Sequence, residues 1–122
     1  MQDATFSNSL RKLSWKNRSW DAVSGPWGKG VLPNGVYTIE RRKLTEYTTN
    51  IGNGFKDETG KGYFIPLTPI FDVGGRTGFG IHPDGNKPGT KGCVGIRKNA
   101  YSFYSAIAVT SPSSKILLKV VD

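Results

Sequence analysis

Apolar and polar residues alternate in short runs along this chain, and the runs are broken by Gly, Pro and Asn. That period of two predicts strands joined by turns. From Phe6 to Val23 it predicts a hairpin. Leu10, Leu13 and Trp15 fall in its first strand, Trp20, Ala22 and Val23 in its second, and Lys16-Asn17-Arg18 makes the turn. Ser24–Gly30 reads as a loop, and Leu32–Gly35 as a turn in which Gly35 can take positive φ. Tyr37 and Ile39 then alternate with Val36, Thr38 and Glu40, a strand with one buried face. Residues 45–62 are polar and Gly-rich, a long surface segment of the kind that folds over a cleft. Tyr63–Leu67 and Ile70–Val73 read as strands, with edges or bends at Pro66 and Pro69, which lack amide donors. Gly78–His82 is a short strand. Asn99 caps a helix carrying Ala100, Phe103, Tyr104 and Ile107 on one face. Ser111–Ser114 ends it, and Lys115–Val121 is a closing strand. The expected fold is mainly β with one helix.

Length and composition narrow the picture. The 122 residues suit one domain, 1–122, with a single core. Three Trp, five Tyr and six Phe support a folded globule rather than disorder. The net charge of +8 comes from Lys and Arg scattered along the chain, a field that favours anionic partners and otherwise serves solubility. One Cys excludes an internal disulfide, and one Cys with one His cannot build a structural zinc site. The sequence therefore implies no metal and no cofactor. The first residues lack the basic-then-apolar plan of a secretory leader, and no apolar run has transmembrane length, so no membrane insertion is expected.

The chemistry concentrates in Gly80–Ile96, which holds the only histidine, His82, and the only cysteine, Cys93. A thiol becomes a nucleophile as thiolate, so it needs a base. An isolated Cys is ordinarily a small buried hydrophobe and an isolated His a turn residue. Here both flank one Gly/Pro-rich loop, and Lys91 and Arg97 bring positive charge that favours thiolate. Pro83 restrains His82, Gly85 and Gly89 let the loop reverse, and small residues surround Cys93. Backbone amides of Gly92, Cys93 and Val94 are candidates for an oxyanion hole. No Gly-x-Ser-x-Gly elbow is present, and Gly54–Lys61 has the wrong spacing for a phosphate loop.

These residues resemble the active-site signature of the L,D-transpeptidase (YkuD-like) family: a strand-end His, a Gly-rich loop and a Gly-Cys-aliphatic element. Ser24–Gly30, Leu32–Ile39 and Phe79–Pro83 extend the resemblance to roughly residues 6–121. They are similar to a compact subgroup that includes peptidoglycan-targeting effectors of type VI secretion systems. The resemblance implies a compact β-sandwich or barrel with a short helix after the Cys. It also implies covalent catalysis on the tetrapeptide stems of peptidoglycan. His82 takes the thiol proton, and Cys93 attacks the carbonyl between diaminopimelate and terminal D-Ala. The thioester then passes to water, as in an L,D-carboxypeptidase, or to an amine, as in a transpeptidase or D-amino-acid exchange.

In this family a backbone carbonyl orients the imidazole; Pro83 or a neighbour is expected to supply it, ahead of the Asp84 carboxylate. Pro83 and Gly92 are thus expected to shape the loop and oxyanion hole. Many larger members carry a second His where this chain has Lys91, and Arg where it has Gly95, which leaves His82 as sole base. Arg76 is a candidate clamp for a substrate carboxylate, and Thr90 and Lys91 border the nucleophile. Trp27 and Tyr37 either line the cleft or pack in the core. The implied place of action is the periplasm or cell wall, reached through a secretion system or a phage, with an immunity protein as partner if the chain is an effector. The competing expectation is a catalytically silent basic module that binds cell wall or nucleic acid through charge and stacking; the enzyme reading expects no nucleic acid.

Overall fold

A computed structural model describes residues 3–25, 31–47, 62–75, 78–83 and 93–122. Among them are nine strands, one short 3-10 turn at Arg41–Lys43 and one helix, α1, at Ala100–Ala108. The strands are β1 (Ala4–Ser7), β2 (Lys12–Trp15), β3 (Arg18–Val23), β4 (Gly35–Ile39), β5 (Thr45–Tyr47), β6 (Gly62–Pro69), β7 (Gly80–Pro83), β8 (Val94–Ile96) and β9 (Ile116–Val121). They run in the order β4-β9-β1-β2-β3-β8-β7-β6, and β6 pairs back onto β4, which closes an eight-stranded barrel. Closure removes the open edges that a sheet would otherwise expose. Strand β5 lies outside the ring, paired to the first half of β6.

Alternation sets the barrel's two surfaces. Leu13 and Trp15 of β2, Trp20 and Ala22 of β3, and Tyr63, Ile65 and Leu67 of β6 are buried. Ile81, Val94, Ile96, Leu118 and Val120 join the same core. The β2–β3 turn is tighter than expected: Lys16 and Asn17 alone make it, both with positive φ (51° and 64°), and Arg18 already belongs to β3. Positive φ at both central residues matches the right-handed twist of the paired strands.

Three sequence expectations change. Leu10 is 71% exposed and precedes β2 rather than joining it. The unexpected β1 buries Ala4 and Phe6 and pairs parallel with β9, so β9 sits between β1 and β4 rather than at an edge. Ile70–Val73 forms no strand, because β6 runs unbroken to Pro69 and the chain then bends, leaving Ile70 exposed. Pro66 falls where one edge of β6 passes from β5 to β4, so its missing N–H breaks no continuous ladder. Within the expected long surface segment, Thr45–Tyr47 is a strand, and residues 48–61 lie outside the described residues.

Helix α1 buries Ala100, Phe103 and Ile107 and packs on β6 and β7. Phe103 meets Trp20 edge-on at 4.9 Å and Trp15 at 6.3 Å between centroids. Asn99 precedes the helix as expected, yet it is left-handed (φ 53°) and its side chain makes no capping bond. Ser102 does the local work instead: its hydroxyl donates to the Asn99 carbonyl at 2.7 Å and accepts from Trp20 Nε1 at 2.7 Å. At the other end Arg41 donates to the carbonyls of Ala108 and Thr110, at 2.6 and 2.8 Å. The Ala108 carbonyl is an orphan acceptor of the last helical turn, where a cation is favoured. Tyr63, from β6, donates to the Ala100 carbonyl at 2.6 Å. The helix is thereby fixed against the strands that carry the site.

Candidate active site

Strands β7 and β8 lie side by side and parallel, with Ile81 opposite Val94, His82 opposite Gly95 and Pro83 opposite Ile96. Residues level with each other in a parallel pair share a sheet face, and the face changes with every residue. Ile81, Val94 and Ile96 therefore point into the core, while His82 shares the other face with Gly95; Cys93 sits in the bend just before β8. Strand spacing and rise put the His82 and Cys93 Cα atoms roughly 8 Å apart. Gly95 contributes no side chain beside the ring. The single imidazole thus lies on β7, and the single thiol immediately precedes the neighbouring strand β8.

The imidazole is oriented by a backbone carbonyl, since His82 Nδ1 lies 2.7 Å from the Pro83 oxygen. A carbonyl only accepts, so Nδ1 carries the proton and Nε2 is the ring's basic nitrogen. The ring is buried, at 5% exposure. Burial pushes the His82 pKa below its ordinary 6.5, and the bond to the Pro83 carbonyl opposes this only in part. Near neutral pH the ring is accordingly a neutral base.

That shift makes stability depend on pH. Above about 6.5 both folded and unfolded chains hold a neutral imidazole. As pH falls below 6.5 the unfolded chain takes up a proton before the folded one does, and stability is lost until the folded pKa is passed. Thermal melts of wild type and His82→Gln across pH 7.5 to 5 are expected to diverge, with the wild type losing the more stability as pH falls. Parallel curves would contradict the burial of a neutral ring.

Cys93 is partly exposed, so a substrate can reach it. Its thiol donates weakly to the Gly78 carbonyl, at 3.5 Å. Gly78 takes φ 79°, in the left-handed region that side chains disfavour, and β7 begins two residues later than the sequence pattern indicates.

Two contributors were not read from the sequence. Phe64, which the β6–β7 register places opposite His82, stacks near-parallel to the imidazole, with a 15° interplanar angle and 6.2 Å between centroids. Gly80 leaves room for that ring, because a Cβ there would sit 2.2 Å from Phe64 Cζ. Phe64 reads as one more apolar residue of an alternating strand, and only its pairing with His82 reveals it. Tyr37 is fully buried and donates to the Pro33 carbonyl at 2.6 Å, so it packs in the core and lines no cleft. Arg97 was expected to add charge near the thiol. It follows the end of β8, and after Lys12, the main cause, and Lys98 it adds to the positive charge that holds the Asp21 carboxyl below its ordinary pKa. Arg76, Asp84, Thr90, Lys91, Gly92 and Trp27 lie outside the described residues, as does most of the Ser24–Gly30 loop. Among the described residues, no three His, Cys, Asp or Glu gather where a metal ion could bind, and no helix is long and apolar enough to cross a membrane.

With this barrel and site in view, the chain is similar in structure to L,D-transpeptidase catalytic domains. It superposes on L,D-transpeptidase 1 of Mycobacterium tuberculosis with a TM-score of 0.61 at 18% identity, covering 99% of this chain and 59% of that one. It superposes on the catalytic domain of the E. faecium L,D-transpeptidase, solved as the ertapenem-acylated protein, with a TM-score of 0.57 at 18% identity, covering 98% of this chain and 95% of that one. The chain thus spans about three fifths of the mycobacterial protein and nearly all of the enterococcal domain. No protein-family model and no curated protein matches the sequence. The mainly β closed barrel, with one helix among the described residues, resembles the fold of L,D-transpeptidase catalytic domains.

Proposed function

We propose that this protein is a cysteine-dependent acyl-transfer enzyme acting on peptidoglycan tetrapeptide stems. The observation that carries the reading is the placement of His82 on β7 and of Cys93 immediately before the neighbouring parallel strand β8, with Nδ1 held by the Pro83 carbonyl, in a barrel of this fold. His82 Nε2 takes the proton from Cys93 Sγ, and the sulfur attacks the carbonyl joining diaminopimelate to the terminal D-Ala. Amides at Gly92 and Cys93 hold the oxyanion. The carbon–nitrogen bond breaks, the imidazolium returns its proton to the departing D-Ala amine, and a thioester remains. Water then releases a shortened stem, or an incoming amine forms a new amide. Thr90, Lys91 and Arg76 are assigned to contacts with the stem's polar groups.

The cell wall or periplasm is the proposed place of action. Delivery as an antibacterial effector, with an immunity protein as its counterpart, or as a phage lysis enzyme completes the proposal. The competing basic module needs exposed aromatic rings for stacking. Among the described residues, none of the exposed large apolar side chains is aromatic, and Trp15 and Trp20 are buried. The test is to incubate purified muropeptides with the wild type and with Cys93→Ala. Loss of D-Ala from tetrapeptides, or new crosslinks, is expected with the wild type alone. Identical product profiles from both proteins would end the enzyme reading.

A further inference from the structure

The resting thiol of Cys93 donates to a backbone oxygen, the Gly78 carbonyl, at 3.5 Å. Gly78 holds φ 79°, in the left-handed region. Packing does not demand a glycine there: Gly78 is exposed, and a Cβ on it would meet no atom within 4 Å. Gly80 differs, because the Phe64 ring fills the space beside it. Gly78 therefore supplies a backbone conformation, set beside open space and next to a partly exposed sulfur. Its neighbour is anchored. Phe79 is buried, meets Tyr37 edge-on at 5.7 Å between centroids, and its carbonyl accepts the Leu67 N–H of β6 at 2.9 Å.

When Sγ gives up its proton, the bond to Gly78 is lost and the negative end of that carbonyl faces a thiolate. The arrangement is unfavourable unless another donor replaces the thiol. A peptide substrate carries one. A carbonyl carbon poised for attack lies about 3 Å from the sulfur, and its amide nitrogen is about 1.3 Å from that carbon. An oxygen 3.5 Å from Sγ is within hydrogen-bond reach of such an N–H.

We propose that the Gly78 carbonyl is a substrate-positioning acceptor, which trades the Cys93 thiol for the N–H of the amide under attack. The inference rests on the peptidoglycan reading above and deepens it, since the site then favours an amide over an ester of the same shape. The bond forms only as the thiol proton leaves, so it acts on the acylation step rather than on resting binding. It also fixes the nitrogen, whose lone pair is left to take the proton from the imidazolium.

The test follows thioester formation by intact mass with two stems that differ only at the scissile bond. One is a tetrapeptide ending in D-Ala; the other ends in D-lactate, and its ester has no N–H. The quantity compared between variant and parent is the ratio of amide rate to ester rate, which cancels the ester's intrinsic reactivity. In Gly78→Ala the side chain disfavours the left-handed conformation and turns the adjoining peptides, and the ratio is expected to fall about five- to tenfold. Gly78→Ser, which disfavours that conformation too, should lower it likewise and serves if the alanine variant folds poorly. Gly78→Asn tolerates the conformation and should keep the parent's ratio, even where its bulk slows both stems. An unchanged ratio in Gly78→Ala or Gly78→Ser would overturn the proposal and leave the enzyme reading standing. A parent protein acylated by neither stem would overturn the enzyme reading and the proposal with it.

Discussion

Replacing His82 by Ala is expected to slow thioester formation at Cys93 by about two to four orders of magnitude, the usual worth of a positioned general base. The ring's chemistry is narrowly set. The Pro83 carbonyl keeps the proton on Nδ1, burial keeps the ring neutral, and Nε2 is the basic nitrogen. The Cys93 thiol rests weakly on the Gly78 carbonyl, and in the proposed mechanism its proton passes from there to the imidazole before attack. Single-turnover acylation followed by intact mass measures the effect. Added imidazole should restore part of the rate in the cavity left by the side chain. A His82→Ala protein that acylates as fast as wild type would remove this residue from the mechanism.

Gly80→Ala should produce the second large effect. The added methyl would lie 2.2 to 2.7 Å from three atoms of the Phe64 ring, closer than real contacts allow. What it meets is the far end of a half-buried side chain, so the ring swings aside and the barrel survives. Overpacking of this kind costs about 1–3 kcal/mol. The functional cost falls on His82, which loses the ring stacked against it. Thermal unfolding should shift down modestly, and acylation should fall more steeply than stability does. Combining Gly80→Ala with Phe64→Ala should recover part of the lost stability, because the clash has gone, but not the activity. Full activity in Gly80→Ala would show that the Phe64 ring does not position the imidazole.

The parts of this molecule legible in the sequence are those set by neighbouring residues. Alternation of Tyr37 and Ile39, and of Tyr63, Ile65 and Leu67, marks strands with a buried face, and their burial matches. The helix after Cys93 follows from the spacing of Ala100, Phe103 and Ile107. Pairings distant in sequence leave no such local mark. Strand β1 is short, and its place depends on β9, more than a hundred residues later. Asn99 has the composition of a cap, but tertiary packing puts it in a left-handed conformation where its side chain cannot serve. At the site, His82 and Cys93 stand out because each is the only residue of its type. Phe64 and Gly80 do not stand out, since their importance lies in the register between β6 and β7.

The most direct measurement is the intact mass of the protein after exposure to a tetrapeptide stem, with the modified residue located by fragmentation. A mass increase equal to the stem less its terminal D-Ala, confined to Cys93 and missing from Cys93→Ala, is the predicted result. An unmodified cysteine at saturating stem, or the same adduct in the Cys93→Ala protein, would contradict the account.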